Sequence, residues 1–404
     1  MGYTSPALDV PPEPPTKRLK LSPSKDIATS TAPREQVTLP AATDLASELD
    51  AAERSKYVKG GKLGSGQYAD VFSATLVSDP SKIFAIKKIK IGAEAADFGI
   101  SYDSIREIKF LQELDHPNII KLHAVFSTKN QNLNLVLEHL PRGDLLKLIQ
   151  DNSIRYTASD IKAWMLMLQR AVYFIHANHI LHRDIKPNNL LIAASGAVKL
   201  ADFGLARSFA DPGQPMTSNT ITTWYRPPEL FYQAPFYSGA VDIWSCGCVF
   251  AELISREVLF RAIPETEINM ISLISTKVGT PTEENWPGVK KLRGYISNDP
   301  PSPLRPFAAW MQEFRAAGTT GVSLLMAMLM LDPRKRLDAE GVLRHEYWTA
   351  DPRPSRLEDL PKKGGGVNVM GDDLTKKAGQ LDGRAGEKDR VARKIDFGAA
   401  AAAA

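Results

Sequence analysis

The chain has 404 residues, of which 43% are hydrophobic, enough for a sizeable core in one large or two ordinary domains. Its 50 basic and 46 acidic side chains leave a net charge of +4, too even a balance to argue for direct nucleic-acid or membrane binding. The two cysteines, Cys246 and Cys248, stand too close for a mutual disulfide and are expected as buried thiols in a reducing, intracellular compartment.

In chain order, residues 1–55 are rich in Pro, Ser, Thr and Ala and are expected to form a disordered extension without an apolar signal region. Lys17-Arg18-Leu19-Lys20 reads either as a nuclear-import signal or as a solvated charge cluster, and Ser22-Pro23 is a candidate phosphosite. Residues 56–348 carry the ordered domain. In its first part, 56–140, Phe84–Ile89 and Leu133–Leu137 read as strands and Ser104–Leu111 as a helix. In its second part, 141–348, Ile161–His176 and Val241–Leu253 have helical apolar spacing. The expected class is therefore α+β and bilobal, a small β-rich lobe followed by a larger helical one. No run of 18 apolar residues predicts a membrane span. From residue 349 the sequence turns polar and glycine-rich and ends in alanines, so 349–404 is expected to be mostly disordered. Asp396-Phe397-Gly398 lies there with no strand before it, and no chemistry is assigned to it.

The chemistry concentrates in Ile180–Arg207. His182-Arg183-Asp184 stands five residues ahead of Asn189, and Asp202-Phe203-Gly204 follows an apolar strand. This segment resembles the catalytic core of protein kinases. The resemblance implies ATP and Mg2+ as cofactors, Asp184 as the base beside the acceptor hydroxyl, and Asn189 and Asp202 as holders of two magnesium ions. Leu63 and the segment Gly64-Ser65-Gly66-Gln67-Tyr68-Ala69-Asp70-Val71 resemble the glycine-rich phosphate loop, with Ala69 in place of the third glycine. Such a loop brings backbone N–H groups close to phosphates. Lys87 is then expected on the α- and β-phosphates and Glu107 as its ion-pair partner, which makes the position of the Glu107 helix a switch. Adenine is expected between Ala85 and Leu191, below Leu63 and Val71. Leu137 would be the gatekeeper, and Glu138-His139-Leu140 the hinge, acting through backbone groups. Lys186 marks a serine/threonine kinase and would neutralise the transferred phosphoryl group. Glu229 is expected to pair with Arg336, and Asp242 to brace the catalytic loop.

Trp224-Tyr225-Arg226-Pro227-Pro228-Glu229 and the segment Val278–Pro287 resemble the CMGC group and, within it, the cyclin-dependent kinases, over about residues 57–350. Ala85–Gly92, Arg106–Leu114, Ile161–Leu166, Leu181–Leu191 and Leu200–Phe209 are similar to the TFIIH-associated cyclin-activating kinases. That resemblance implies a cyclin subunit, a RING-type assembly factor, the TFIIH core, a nuclear location and Ser/Thr-Pro substrates. The substrates would include the RNA polymerase II C-terminal repeat and the activation segments of other cyclin-dependent kinases. Tyr102–Glu107 differs from the PSTAIRE sequence, which argues against the ordinary mitotic cyclins. Without its cyclin the Glu107 helix is expected to swing out and open the Lys87–Glu107 pair. Thr217, seven residues before Trp224, is the expected phosphosite, met by Arg106, Arg183 and Arg207. Asn219 stands where a MAP kinase carries tyrosine. The competing readings are another cyclin-dependent or MAP-like CMGC kinase, and a pseudokinase scaffold; a scaffold has no need of all five of Lys87, Glu107, Asp184, Asn189 and Asp202.

Overall fold

Alternation of side chains across the pleat builds the first lobe. The computed structural model describes residues 45–66, 69–90, 102–128, 133–209, 222–296 and 300–361. Strands β1 (Tyr57–Ser65), β2 (Ala69–Leu76), β3 (Asp79–Ile89), β4 (Leu122–Ser127) and β5 (Leu133–Glu138) form an antiparallel sheet in the order β1-β2-β3-β5-β4. Ala74, Ile86, Phe126 and Val136 pack together on one face. Their strand neighbours Ala85, Leu135 and Leu137 join the main core instead, together with Phe110 and Leu111 of helix α2 (Tyr102–Glu113). A sheet apolar on both faces needs a cover on each, and α2 supplies one of them.

The second lobe is helical. Helix α3 (Leu145–Gln150) follows the hinge, and α4 (Ala158–Ala177) opens on a capping box between Thr157 and Asp160. Four short strands come next: β6 (Ile180–Leu181), β7 (Leu190–Ile192), β8 (Val198–Leu200) and β9 (Arg207–Ser208), paired β6 with β9 and β7 with β8. Then follow α5 (Pro228–Phe231), α6 (Ala240–Ser255), α7 (Glu267–Val278), α8 (Phe307–Phe314), α9 (Gly318–Met328) and α10 (Ala339–Arg344). Every residue of α6 from Ala240 to Leu253 is buried, so this mostly apolar helix, covered all round, is the axis of the lobe. Gly247 lets α9 close on it: a Cβ there would lie 2.9 Å from Leu329 Cδ2. Cys246 and Cys248 lie inside α6 as free thiols whose pKa values burial pushes up, which keeps them inert.

Both ends of the ordered region extend past the sequence expectation. Helix α1 (Leu45–Ser55) falls in the stretch expected to be disordered. None of its residues is buried, and its anchors come from the sheet: Ser127 hydrogen-bonds Asp50, and the Tyr57 hydroxyl donates to Glu53 at 3.2 Å. At the other end, the Ser355 hydroxyl donates to Asp160 at 2.7 Å and Leu360 is buried against Gly196. Apart from the Tyr57–Glu53 bond, these anchors join residues distant in sequence, so local composition gives no sign of them. Among the described residues no helix is long and apolar enough to cross a membrane.

Candidate active site

The floor of the cleft between the lobes is a loop fixed from below. Asp242 of α6 is fully buried and accepts the backbone N–H of His182 at 2.9 Å and of Arg183 at 2.8 Å, and it meets His176 Nε2 at 2.8 Å. Burial opposes the Asp242 charge, but His176, His182 and these N–H groups outweigh it and hold the carboxyl below its ordinary value. Arg183 has φ 66°, a left-handed conformation that a long side chain adopts only when its surroundings impose it. The imposing contacts are the Asp242 bond and two from the guanidinium, to Leu205 O at 2.7 Å and the Tyr237 hydroxyl at 3.0 Å.

His182 ties the two acidic positions together. Its Nδ1 accepts the Asp184 N–H at 3.2 Å, and its Nε2 donates to Ala201 O, the residue before Asp202, at 3.1 Å. Burial lowers its pKa, so the ring is the neutral tautomer these bonds require. Phe203 is buried edge-on to it, ring centres 4.9 Å apart.

Asp184 is held by three side chains. Asn189 Nδ2 donates to its carboxylate at 2.8 Å and to its carbonyl at 2.8 Å. Lys186 Nζ lies 3.0 Å from one carboxylate oxygen and 2.8 Å from the other. The Thr222 hydroxyl donates to Asp184 at 2.8 Å and accepts from Lys186 at 2.8 Å. Thr222 is a site residue that sequence reasoning misses; its only local signal is its place two residues before the Trp224–Arg226 motif.

The Lys87 ammonium lies 2.7 and 2.9 Å from the Glu107 oxygens and 3.1 Å from Asp202 Oδ1. Burial works to lower the Lys87 pKa, but the two carboxylates outweigh it and raise it, so the cation persists. Burial, with Asp202 adding, raises the Glu107 carboxyl against the pull of Lys87. For Asp202 burial is likewise outweighed, by Lys87, and its pKa is lowered. The pair is closed here, unlike the swung-out helix expected for the chain alone. The reason is packing: Glu107 is 4% exposed, and α2 rests on the Phe203–Leu205 turn and β4.

Hard cations take oxygen ligands. Asn189 spends its N–H groups on Asp184, and among the described residues neither Asn189 Oδ1 nor Asp202 Oδ2 accepts a hydrogen bond. The β7–β8 hairpin, with Leu190 paired to Leu200, brings Asn189 and Asp202 to the same end of one ladder. Among the described residues no group of three His, Cys, Asp or Glu forms a closed metal cage. The donor set therefore fits Mg2+ that takes its other ligands from phosphates and water.

Leu63 and Val71 on the roof, and Leu191 on the floor, are half-buried against the core that contains Ala85, Leu137 and Leu140. The Glu138 carboxylate accepts from Lys121 N and from Lys199 Nζ, each at 2.8 Å, which leaves the hinge its backbone. Gly64, Ser65 and Gly66 precede the β1–β2 turn, and Ala69 is buried at the start of β2; Gln67 and Tyr68 lie outside the described residues. The Asp70 side chain is engaged within the loop itself. Its carboxylate accepts from Ser65 at 2.6 Å and meets Lys62 at 3.0 Å and Lys90 at 3.3 Å. It braces the loop because its strand register places it opposite Ser65. Lys90 also donates to Gly66 O at 2.7 Å, a clamp hidden in sequence among neighbouring lysines.

Glu229 and Arg336 form the expected pair, at 2.7 and 3.0 Å, fully buried. Thr217 and Asn219 lie outside the described residues. The elements bearing the three arginines converge on the Phe203–Leu205 turn. The α2 helix of Arg106 packs on it, Arg183 bonds Leu205 O, and Arg207 in β9 pairs with Leu181. Arg106 itself reaches back to Asp103 at 3.2 Å.

A lysine–glutamate pair over an Asp-Asn-Lys floor, beneath a glycine loop, defines an ATP-dependent phosphotransferase. The protein kinase domain family matches residues 57–348. The serine/threonine-protein kinase crk1 of Schizosaccharomyces pombe is 42% identical over 81% of this chain and 95% of its own length. KIN28 of Saccharomyces cerevisiae is 43% identical over 74% and 95%, and cyclin-dependent kinase 7 of Xenopus laevis 38% identical over 86% and 98%. A chain of the solved CAK complex from Chaetomium thermophilum, bound to ATP-γ-S, superposes with a TM-score of 0.75 at 57% identity, covering 78% of this chain and 98% of that one. The chain belongs to the protein kinase family, among the serine/threonine kinases of the cyclin-dependent kinase 7 type.

Proposed function

We propose that this kinase is the catalytic subunit of a nuclear cyclin-activating, TFIIH-associated complex. In it the chain transfers the ATP γ-phosphate to Ser-Pro and Thr-Pro sites of the RNA polymerase II repeat and of other kinases' activation segments. The observation that carries the reading is the threefold grip on Asp184 beside the Lys87–Glu107–Asp202 cluster. Its likeness to the cyclin-dependent kinase 7 group, and to a chain solved in a CAK complex, supports the choice among kinases.

The catalytic domain is read as residues 56–348, with lobes 56–140 and 141–348. Asp184 accepts the proton of the acceptor hydroxyl. Asn189, Lys186 and Thr222 keep its carboxylate in one orientation, so that little reorganisation is needed at the moment of transfer. Lys186 faces the transferred group and offsets its charge. Lys87 holds the nucleotide phosphates, itself held by Glu107. Backbone N–H groups of residues 64–71 cover those phosphates, and Leu63, Val71, Ala85 and Leu191 enclose the adenine, with Glu138 and Leu140 as hinge. The Asn189 and Asp202 oxygens would hold Mg2+, whose chemistry when bound is neutralisation of phosphate charge. A cyclin against α2 would hold the closed Lys87–Glu107 arrangement, and a RING-type factor would complete the assembly. Phosphorylated Thr217 would draw Arg106, Arg183 and Arg207 together.

The test uses the full chain with its co-purifying partners and peptides of the repeat YSPTSPS. Ser-Pro peptides should exceed their Ser-Ala counterparts in kcat/KM by about tenfold or more. Equal turnover of the two sets overturns the proline-directed reading.

A further inference from the structure

A cavity of about 510 Å³ opens beside the catalytic floor, between α3, the segment around Thr222–Tyr225 and the loop that follows α6. Lys186 and Thr222 line it on the catalytic side, Leu146 on the α3 side, Trp224 and Tyr225 along one wall, and Arg261 at the far side. Because Lys186 and Thr222 both touch Asp184, a side chain seated in this cavity belongs to the peptide whose hydroxyl is being phosphorylated. Extended peptide advances about 3.3–3.6 Å per residue, so that side chain lies within about three residues of the acceptor.

Among the described residues the lining has two cations and no carboxylate. An acid does stand behind the wall, but it is withdrawn: Glu252 is 1% exposed and accepts the Tyr225 hydroxyl at 2.7 Å. The Arg261 guanidinium lies over the Trp224 ring, 5.3 Å from its centre, and among the described residues it has no carboxylate partner. An arginine held on an aromatic face with its N–H fork unspent suits carboxylate or phosphate. Arg226, which the resemblance to proline-directed kinases puts beside the proline that follows the acceptor, lies outside the lining and is engaged with Glu267 at 3.2 Å. The cavity therefore serves the other, amino-terminal side of the acceptor.

We infer that this cavity is a substrate subsite for an acidic side chain, carboxylate or phosphate, one to three residues before the phosphorylated Ser or Thr, with Arg261 as its specificity-determining residue. The inference deepens the proline-directed reading and rests on it. It also implies discrimination against lysine and arginine at those positions, since a second cation would meet Lys186 and Arg261 with no acid to offset it.

The experiment uses the full chain with its co-purifying partners and Ser-Pro peptides carrying Glu, phosphoserine, Gln or Lys at each of the three preceding positions. At one of them Glu and phosphoserine should raise kcat/KM over Gln by about two- to fivefold, the scale of one accessible ion pair, and Lys should lower it. Phosphoserine outperforming Glu identifies phosphate as the better ligand; parity identifies a site that reads charge alone. Arg261→Gln should bring the four peptides together, and Arg261→Glu should turn the preference toward Lys. Equal rates on all four peptides, or an acidic preference that survives both variants, overturns the subsite. Ser-Ala peptides in the same series separate the two levels. If proline preference holds while the acidic preference fails, only the subsite falls; if proline preference itself is absent, the parent reading falls and the subsite with it.

Discussion

The floor and the roof of the ATP cleft are built by different physics. On the floor, Asp184, Asn189, His182, Arg183 and Asp242 are all nine-tenths or more buried, and each is tied by hydrogen bonds between 2.7 and 3.2 Å. On the roof, Lys62 and Lys90 are 48% and 40% exposed where they meet Asp70. A missed hydrogen bond in the interior leaves an unsatisfied group and costs about 1–3 kcal/mol, so the floor has one arrangement. Exposed ion pairs contribute about 0–1 kcal/mol and are screened by salt, so the roof can yield as nucleotide enters and leaves. The part that orients the proton acceptor is fixed, and the part that covers a departing ligand is adjustable.

The largest test of that contrast is at the proton acceptor. Asp184→Asn keeps the shape and removes the base, and kcat should fall about 10²–10⁴-fold while KM for ATP and the melting temperature stay near wild type. Turnover within a few-fold of wild type in that variant would make the floor a scaffold rather than a catalytic device.

A smaller effect is expected one layer below. Asp242→Asn exchanges an acceptor of two backbone N–H groups for a side chain that also presents donors, and stability should fall by about 2–4 kcal/mol. The pH dependence carries the sign. The Asp242 carboxyl is held below its unfolded value. Its contribution is therefore fully present above about pH 4 and is lost as pH falls from there through the folded value. Denaturant titrations at pH 7 and pH 3.5 should show a wild-type loss on acidification that the variant partly lacks. An equal acid loss in both proteins would remove Asp242 from the account.

The smallest effect belongs to the roof. Lys90→Met frees Gly66 O and one side of Asp70. KM for ATP should rise about two- to fivefold at low ionic strength and the difference should shrink near 0.5 M salt, with kcat little changed. A large, salt-independent loss of kcat would show that roof and floor are not separable.

Much of the floor was legible in the sequence because its residues are close together in the chain. His182, Asp184, Lys186 and Asn189 fall within one loop, and the hairpin to Asp202 is short. Lys87 and Glu107 were legible as a pair by family resemblance, although a lysine on a strand is by itself usually solvated. Thr222 was not, since only its place two residues before Trp224 sets it apart from Thr220 and Thr223; it becomes a site residue when the chain returns to Asp184. The bracing role of the Asp70 side chain was not legible either: the motif concerns its backbone, and strand register turns its carboxylate to Ser65, Lys62 and Lys90.

The sequence by itself determined the two-lobed α+β class and the catalytic loop, because spacing along a strand or loop constrains those directly. The tertiary structure decided the closed Lys87–Glu107 pair, the buried Glu229–Arg336 pair, the left-handed backbone of Arg183, the helix at Leu45–Ser55 and the cavity at Arg261. Each depends on contacts between segments tens of residues apart, whose strength is set by burial, and burial exists only once the chain is folded.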